Sequence, residues 1–321
     1  AVTGIGNAVA ISAGGAHTCA LLDDGTLKCW GHNGLGQLGD GTFNTPSTPV
    51  DVVGLTNVAS VTVGGFHTCA SRVDGSALCW GSNENGELGS AIDNPPLSPT
   101  PVPVTGLGQV SAIGAGQYHS CALLADASLR CWGENYEGQL GLGVVGYRTE
   151  PDPVVGLSEI IDVAAGTRHS CALSDDATVH CWGNNLVGQL GDGSFIDRDR
   201  PTLVPGLDQV LVVTASAANT CALDSTGAAW CWGDNSYGQL GTGNSGGIKG
   251  SPTPVNLSNI VSIAPLGGHA CAVLADRTAR CWGRNSAGQL GDGTTTDSPL
   301  PVTVNGLNNV DYLVGDFAFT C

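Results

Sequence analysis

The stretch HTCALLDDGTLKCWGHNGLGQLGDG, residues 17–41, recurs in varied form almost to the end of the chain. The first cysteine of each copy is Cys19, Cys69, Cys121, Cys171, Cys221, Cys271 or Cys321, a step of 50 residues with a single step of 52. A second cysteine, followed by Trp-Gly, comes ten residues later in six copies. A repeat of this length indicates a solenoid or a propeller rather than an ordinary globular core. We therefore expect residues 1–321 to form one continuous repeat domain.

Each copy of the repeat predicts four short strands. In the first copy, a small-residue run at 9–15 precedes HTCALL (17–22) and TLKCWG (26–31), and a Pro-rich linker leads to a fourth strand within 47–55. The DDG at 23–25 has the length and the glycine position of a three-residue hairpin loop. No helical periodicity extends over ten residues. Four antiparallel strands every 50 residues are typical of a propeller blade.

The hairpin loop sets the two cysteines of a copy opposite each other. Counting back from 23–25 pairs Leu21 with Leu27 and Cys19 with Cys29. No CxxC pattern suggests zinc, and thirteen cysteines are unusual in a reducing compartment. We predict the disulfides Cys19–Cys29, Cys69–Cys79, Cys121–Cys131, Cys171–Cys181, Cys221–Cys231 and Cys271–Cys281, with buried free thiols as the alternative. Disulfides predict an oxidising location, so we expect a secreted, periplasmic or cell-surface protein.

The charge and the hydropathy of the chain exclude two classes of partner. The net charge is −17 and only two lysines occur, whereas a nucleic-acid backbone is bound by Lys and Arg. No apolar run reaches 18 residues, so we expect no transmembrane segment. The chain starts at Ala1 without a leader, from which we expect that any secretion signal has been removed or left out.

The combined motif resembles the RCC1 repeat family. Gly-x-x-His followed by Ser or Thr, and then Gly-x-Asn-x-x-Gly-Gln-Leu-Gly, covers six full copies and the start of a seventh. The resemblance implies an all-β, seven-bladed propeller of four-stranded antiparallel blades, with a six-bladed ring as the alternative. The cysteine pair in every copy departs from the general pattern and resembles a secreted bacterial branch of the family.

The seventh copy stops at Cys321, with two strands and one cysteine. Three interpretations follow: a truncated chain, which we favour; a six-bladed ring whose last strands overlap the first blade; or a blade completed by another chain. In the last case Cys321 is unpaired or forms an intersubunit bond, and strand donation through open edges builds a filament.

Repeated polar residues suggest metal sites only weakly. His17, His67, His119, His169 and His269 each lie two residues before a cysteine, and we expect them to hydrogen-bond backbone groups between neighbouring blades. Asp40, Asp192 and Asp292 lie before glycine in turns and lack the spacing of a calcium loop. No GxSxG, HExxH or phosphate-binding glycine loop occurs. We therefore expect no metal, no cofactor and no catalytic residue.

The residues that differ between copies are the candidates for a binding site, because the repeated residues build the scaffold. The family resemblance places two variable pairs per copy in loops on the propeller faces. Their aromatic, Arg and Leu members are candidate partner contacts: Phe66, Tyr118, Arg168, Tyr136, Leu186 and Tyr237. Phe66, Tyr118 and Arg168 come from three consecutive blades and are the preferred set.

The sequence thus predicts a non-catalytic protein-binding scaffold, secreted or on a cell surface. A structural subunit assembled through the incomplete seventh blade is one alternative. Because one RCC1-like branch inhibits β-lactamases, a secreted enzyme inhibitor is another. The family also implies guanine-nucleotide exchange on a small GTPase, which ranks last because the cysteines place this chain outside the cytosol.

Overall fold

The hairpin between the two cysteines is the unit from which every blade is built. Cys19 pairs with Cys29 and Leu21 pairs with Leu27 across antiparallel strands, which confirms the predicted register. The Leu22 amide donates to the Thr26 carbonyl at 2.9 Å, and Gly25 takes a φ of 76° in the turn. Both features close a tight hairpin that continues the strands on either side.

The computed structural model describes residues 2–90, 96–311, 313–316 and 319–320, and this part of the chain is all β with no helix. Six sheets have four strands each, paired in sequential antiparallel order. The strands of blades 1 to 3 are β1 (Ala8–Ala13), β2 (His17–Leu22), β3 (Leu27–Gly31), β4 (Val50–Asp51), β5 (Val58–Val63), β6 (His67–Arg72), β7 (Ala77–Ser82), β8 (Leu97–Pro103), β9 (Val110–Ala115), β10 (His119–Leu124), β11 (Leu129–Gly133) and β12 (Arg148–Pro153).

Blades 4 to 6 repeat this order. Their strands are β13 (Ile160–Ala165), β14 (His169–Ser174), β15 (Val179–Gly183), β16 (Arg198–Leu203), β17 (Val210–Ser216), β18 (Asn219–Asp224), β19 (Ala229–Asp234), β20 (Ile248–Pro254), β21 (Ile260–Pro265), β22 (His269–Leu274), β23 (Ala279–Gly283) and β24 (Ser298–Thr303). The predicted propeller of four-stranded antiparallel blades is therefore confirmed, with six such blades in the ring.

The seventh copy contributes a separate two-stranded sheet, β25 (Gly315–Asp316) and β26 (Phe319–Thr320). This sheet follows blade 6, and β25 contacts β1 at the start of the ring. Thr320 Oγ1 lies 2.8 Å from His269 Nε2 in blade 6. The two strands thus lie between the last and the first complete blades. Cys321, about which the sequence left three interpretations, lies outside the described residues.

The first strands of the blades contact one another around a central channel of about 630 Å³. Small residues such as Ala13, Gly114 and Ala164 line the channel, and Asp162 is the one ionisable side chain among its described lining residues. Burial raises the pKa of the Asp162 carboxyl, which accepts a hydrogen bond from the Val163 amide at 2.9 Å.

The hydrophobic core consists of layers between neighbouring sheets rather than one central cluster. In the first layer, Cys19, Leu21 and Leu27 of blade 1 pack against Trp80 of blade 2. Equivalent layers follow between the other blades. The sheets of blades 2 to 6 bury both faces this way, which explains why cysteine, leucine and tryptophan recur at fixed positions. No helix in the described part of the chain is long and apolar enough to cross a membrane.

Candidate functional site

The repeated histidines join neighbouring blades. His67 Nε2 lies 2.8 Å from Ser120 Oγ in the next blade, and the same contact recurs from His17 to Thr68, His119 to Ser170 and His169 to Thr220. The prediction of a bond between blades was right, but the predicted backbone partner was wrong. The partner is the side-chain hydroxyl of a Ser or Thr residue in the next blade. This residue directly follows the position equivalent to the histidine. Burial lowers the pKa values of these imidazoles to about 3 or 4, so they are neutral.

The repeated tryptophans and glutamines make the second junction between blades. Trp182 Nε1 donates to the Gln139 carbonyl of the preceding blade at 2.9 Å, and Ser170 Oγ donates to the same oxygen at 2.9 Å. The indole N–H groups of Trp80, Trp132, Trp232 and Trp282 likewise donate to a main-chain carbonyl of the preceding blade. These repeated groups are therefore occupied in holding the ring together.

The acidic turns use their carboxylates internally. Asp192 accepts from the Ser194 amide and hydroxyl and forms an ion pair with Arg198 at 2.9 Å, and the buried Asn185 donates to it at 3.1 Å. Asp40 and Asp292 accept from equivalent turn groups. Across the described residues, no group of three or more His, Cys, Asp or Glu side chains is arranged to hold a metal ion.

Two sets of connections meet at one edge of the ring, which we call the loop face. The loops between first and second strands lie beside the segments between third and fourth strands, as shown by the His32 amide donating to the Ala16 carbonyl at 2.9 Å. The opposite edge, the hairpin face, carries the hairpins and the connections between blades. All six candidate contact residues belong to loop-face connections: Phe66, Tyr118, Arg168, Tyr136, Leu186 and Tyr237.

Phe66 and Tyr118 form an aromatic pair across the junction of blades 2 and 3. Their ring centroids are 5.6 Å apart with an interplanar angle of 29°. The Tyr118 hydroxyl accepts a hydrogen bond from Gln117 Nε2 at 3.1 Å. Offset stacking at this distance favours a fixed arrangement of the two rings. The equivalent positions hold Ala16, Ala218 and Gly268, so the large residues occupy one half of the loop face.

Arg168 continues this series and pairs with two glutamates. Its Nη1 donates to Glu137 Oε1 at 2.8 Å, and its Nη2 lies 3.8 Å from Glu134 Oε1. Both glutamates belong to blade 3 and Arg168 belongs to blade 4, so the ion pairs bridge a blade junction. The guanidinium therefore joins an acidic group rather than the aromatic pair.

Tyr136, Leu186 and Tyr237 lie in the segments between third and fourth strands. Tyr136 is 60% exposed and Leu186 is 69% exposed, whereas Tyr237 packs under Arg284, whose Cζ lies 5.3 Å from the ring centroid. Tyr136 and Leu186 are thus free to contact a partner. Tyr237 forms a second aromatic centre between blades 5 and 6.

The structure adds residues that the sequence patterns missed. The same segments of blades 3 and 4 expose Val144, Val145, Tyr147, Phe195 and Ile196. The signal was present, since these apolar residues interrupt turn-rich segments that are otherwise polar. The second missed feature is Glu87, which replaces the repeated glutamine in GELG and is fully buried.

Comparison with known proteins assigns the family. A family model described as the RCC1-like domain matches residues 2–264, and models of the regulator of chromosome condensation (RCC1) repeat match residues 267–289 and 281–315. This chain belongs to the RCC1-like family.

Solved RCC1-like structures share the fold. The yeast RCC1 protein Prp20, in its complex with Kap60, superimposes with a TM-score of 0.87 at 22% identity over 98% of this chain and 79% of that one. Human WBSCR16 gives a TM-score of 0.87 at 21% identity over 97% of this chain and 84% of its own. The ectodomain of the Arabidopsis thaliana receptor kinase ACR4 gives 0.59 at 19% identity, covering 99% of this chain and 91% of that one.

Six disulfides, one in each complete blade, lie within the hairpins of this chain. They join Cys19 to Cys29, Cys69 to Cys79, Cys121 to Cys131, Cys171 to Cys181, Cys221 to Cys231 and Cys271 to Cys281. The paired Cα atoms are 4.0 or 4.1 Å apart, within one hairpin in every blade. This arrangement supports the disulfide-containing branch of the RCC1-like family.

Proposed function

We propose that this RCC1-like propeller is a non-catalytic protein-binding scaffold, secreted or on a cell surface, and that it binds its partner through blades 2 to 4 of the loop face. The observation that carries the proposal is the concentration of exposed apolar side chains in the third-to-fourth-strand segments of blades 3 and 4, beside the Phe66–Tyr118 pair. Exposed patches of this kind, rimmed by polar groups, are typical of interaction surfaces.

The different roles of the repeated residues and the candidate loop-face residues favour a binding function over a catalytic one. The five repeated histidines would be the natural general bases, but they are buried and donate to hydroxyl groups of neighbouring blades or of β26. The turn carboxylates accept hydrogen bonds from their own turns. The six candidate residues of the loop face are aromatic, apolar or ion-paired, which suits recognition of a protein surface.

Protein binding and an extracellular location are also found among the structural relatives. Yeast RCC1 is bound to Kap60 in one structure, and a second structure of Prp20p concerns its binding to Gsp1p and histones. Two relatives are ectodomains of plant receptor kinases. Six disulfides per chain favour an oxidising environment.

Affinity capture tests the proposal. The immobilised protein is incubated with the extracellular fraction of its source organism, and the bound proteins are quantified by mass spectrometry. The loop-face double variant Tyr136→Ser with Leu186→Ser removes two exposed apolar side chains without touching the core. We expect a partner that the unmodified protein enriches and that this variant loses by about tenfold or more.

A matched variant on the hairpin face provides the control. Val73 lies in a hairpin and Leu203 ends β16 at the same edge, and both are exposed. Val73→Ser with Leu203→Ser makes the same chemical change and should leave capture unchanged. A partner that is lost with the hairpin-face variant and kept with the loop-face variant would contradict the proposed binding face.

A further inference from the structure

Three glutamates and one arginine form a cluster where blades 2, 3 and 4 meet on the loop face. We call the cluster of Glu87, Glu134, Glu137 and Arg168 the acidic recess. Arg168 lies 2.8 Å from Glu137 and 3.8 Å from Glu134, and Glu87 is close enough to Glu134 to raise its pKa. The Glu134 amide donates to the Tyr118 carbonyl at 2.8 Å, which places the recess beside the Phe66–Tyr118 pair.

The recess has one basic side chain for three carboxyl groups. The Glu87 carboxyl group accepts hydrogen bonds from Asn85, through the backbone amide at 2.9 Å and Nδ2 at 3.1 Å. In the other blades the equivalent position is a glutamine, which carries no charge. The single positive charge of Arg168 does not balance three carboxyl groups, so the recess keeps an excess of negative charge.

An oxygen atom of the Glu134 carboxyl group indicates that the recess can accept a hydrogen-bond donor. Its side chain is about nine-tenths buried, and its Oε2 atom is buried without a hydrogen-bond partner among the described residues. Burial raises the pKa of Glu134, Arg168 opposes this rise, and Glu137 and Glu87 add to it. A buried carboxylate oxygen without a donor is costly, and the cost is relieved when a donor arrives.

The neighbouring aromatic pair indicates which kind of donor fits. An arginine or lysine side chain has a charged end for the carboxylates and an apolar stem that packs against aromatic rings. The molecule shows this combination elsewhere, where Arg284 packs over Tyr237 at 5.3 Å. The exposed Tyr136 and Val144 extend the apolar surface of blade 3, which suits a protein partner better than a free amine.

We infer that the acidic recess binds an arginine or lysine side chain of a protein partner, whose stem packs against the Phe66–Tyr118 pair. This inference rests on the proposed function, since it names the chemistry by which the loop face recognises its partner. The net charge of −17 adds a long-range attraction for a basic partner surface.

A displayed library of random cyclic peptides provides a defined probe. Peptides are selected on the unmodified protein, synthesised, and titrated by fluorescence anisotropy against variants of the chain. We expect the selected peptides to be enriched in Arg or Lys next to apolar residues. Glu134→Gln with Glu137→Gln keeps the side-chain shapes and should weaken their binding by about tenfold or more.

Two controls make the result specific to the recess. Glu150→Gln with Asp208→Asn removes two exposed carboxylates elsewhere and should change binding by less than about twofold, as expected for screened surface charges. Arg168→Gln removes the side chain that competes with the partner's Arg or Lys for Glu134 and Glu137, so it should tighten binding. Weaker binding after Arg168→Gln would overturn the inference, because Arg168 would then contact an acidic group of the partner.

The outcomes separate this inference from the proposed function. Peptides that lose binding with Tyr136→Ser and Leu186→Ser but ignore Glu134→Gln with Glu137→Gln overturn the recess and keep the binding face. Peptides that lose binding only with Val73→Ser and Leu203→Ser overturn both. Loss with both loop-face variants supports both.

Discussion

The Nε2 atom of His119 in blade 3 lies 2.9 Å from the Oγ atom of Ser170 in blade 4. Ser170 Oγ donates its proton to the Gln139 carbonyl at 2.9 Å, so it accepts from the imidazole. The imidazole therefore carries a proton on Nε2, and burial, which lowers its pKa to about 3, keeps the ring neutral. Two hydrogen bonds in series thus connect His119 to the Gln139 carbonyl, both in blade 3. The Ser170 hydroxyl of blade 4 links the two bonds.

Ser170→Ala should therefore destabilise the ring although it removes only one oxygen atom. The change leaves the buried Nε2–H of His119 without an acceptor, and we expect the free energy of unfolding to fall by about 1–3 kcal/mol. Urea denaturation measures this loss. Ser158→Ala at an exposed position is the control and should change stability by less than about 0.5 kcal/mol. Equal stabilities of the two variants would contradict the inferred role of the hydroxyl.

The junction of blades 5 and 6 lacks this pair on both sides. Asn219 replaces the histidine and donates to the Asp234 carbonyl at 2.6 Å, and Ala270 replaces the hydroxyl residue. We expect Asn219→His and Ala270→Ser together to raise the free energy of unfolding by more than the sum of their separate effects, because each supplies the hydrogen-bond partner of the other. A double-mutant cycle should give a favourable coupling energy of about 1 kcal/mol. Strict additivity would show that the two positions do not form the pair in this junction.

Stability should fall when the pH is lowered from about 6.5 towards 4. Burial lowers the pKa values of His17 and His119 to about 3 and those of His67, His169 and His269 to about 4. Below pH 6.5 the unfolded chain binds protons that the folded imidazoles reject, so unfolding becomes more favourable. Each histidine contributes a slope of about 1.4 kcal/mol per pH unit in this range.

Buried carboxyl groups act in the opposite direction. Burial raises the pKa values of Glu87, Glu134 and Asp162, so these groups take up protons in the folded chain first and offset part of the loss. His67→Asn, which copies the natural Asn219, isolates one histidine. Its unfolding free energy between pH 6.5 and 4.5 should depend less steeply on pH, by about 1.4 kcal/mol per unit. An unchanged slope would contradict the assignment of neutral, buried imidazoles.

Local features of the repeat were predictable, and contacts between blades were not. A three-residue loop with glycine fixes the register of the hairpin, so the pairing of Cys19 with Cys29 follows from counting. The acceptor of His67 is Ser120, 53 residues away, and only the packing of blade 2 against blade 3 brings the two together. The contact of Arg168 with Glu137 likewise crosses a blade junction. The exposed apolar residues lie in turns whose conformations follow no simple periodicity.

The Gln-Leu-Gly turn recurs in every complete blade, with Glu87 in place of the glutamine in blade 2. The surroundings of its glycine explain why glycine occupies the last position each time. A Cβ atom on Gly141 would lie 2.8 Å from Trp182 Nε1, the atom that donates to the Gln139 carbonyl. Gly141 also has a φ of 71°, which costs an L-residue about 1–2 kcal/mol. Gly141→Ala should therefore lose stability through both the backbone conformation and the collision with the indole.

Gly156→Ala separates these two causes. Gly156 has a similar φ of 76°, but no atom lies within 4 Å of the Cβ position. This variant should lose only the backbone contribution of about 1–2 kcal/mol, whereas Gly141→Ala should lose more because Trp182 is buried at the junction of blades 3 and 4. Urea denaturation with tryptophan fluorescence measures both variants. If Gly141→Ala proves no more damaging than Gly156→Ala, the indole contact is not what selects glycine, and the backbone conformation alone accounts for the motif.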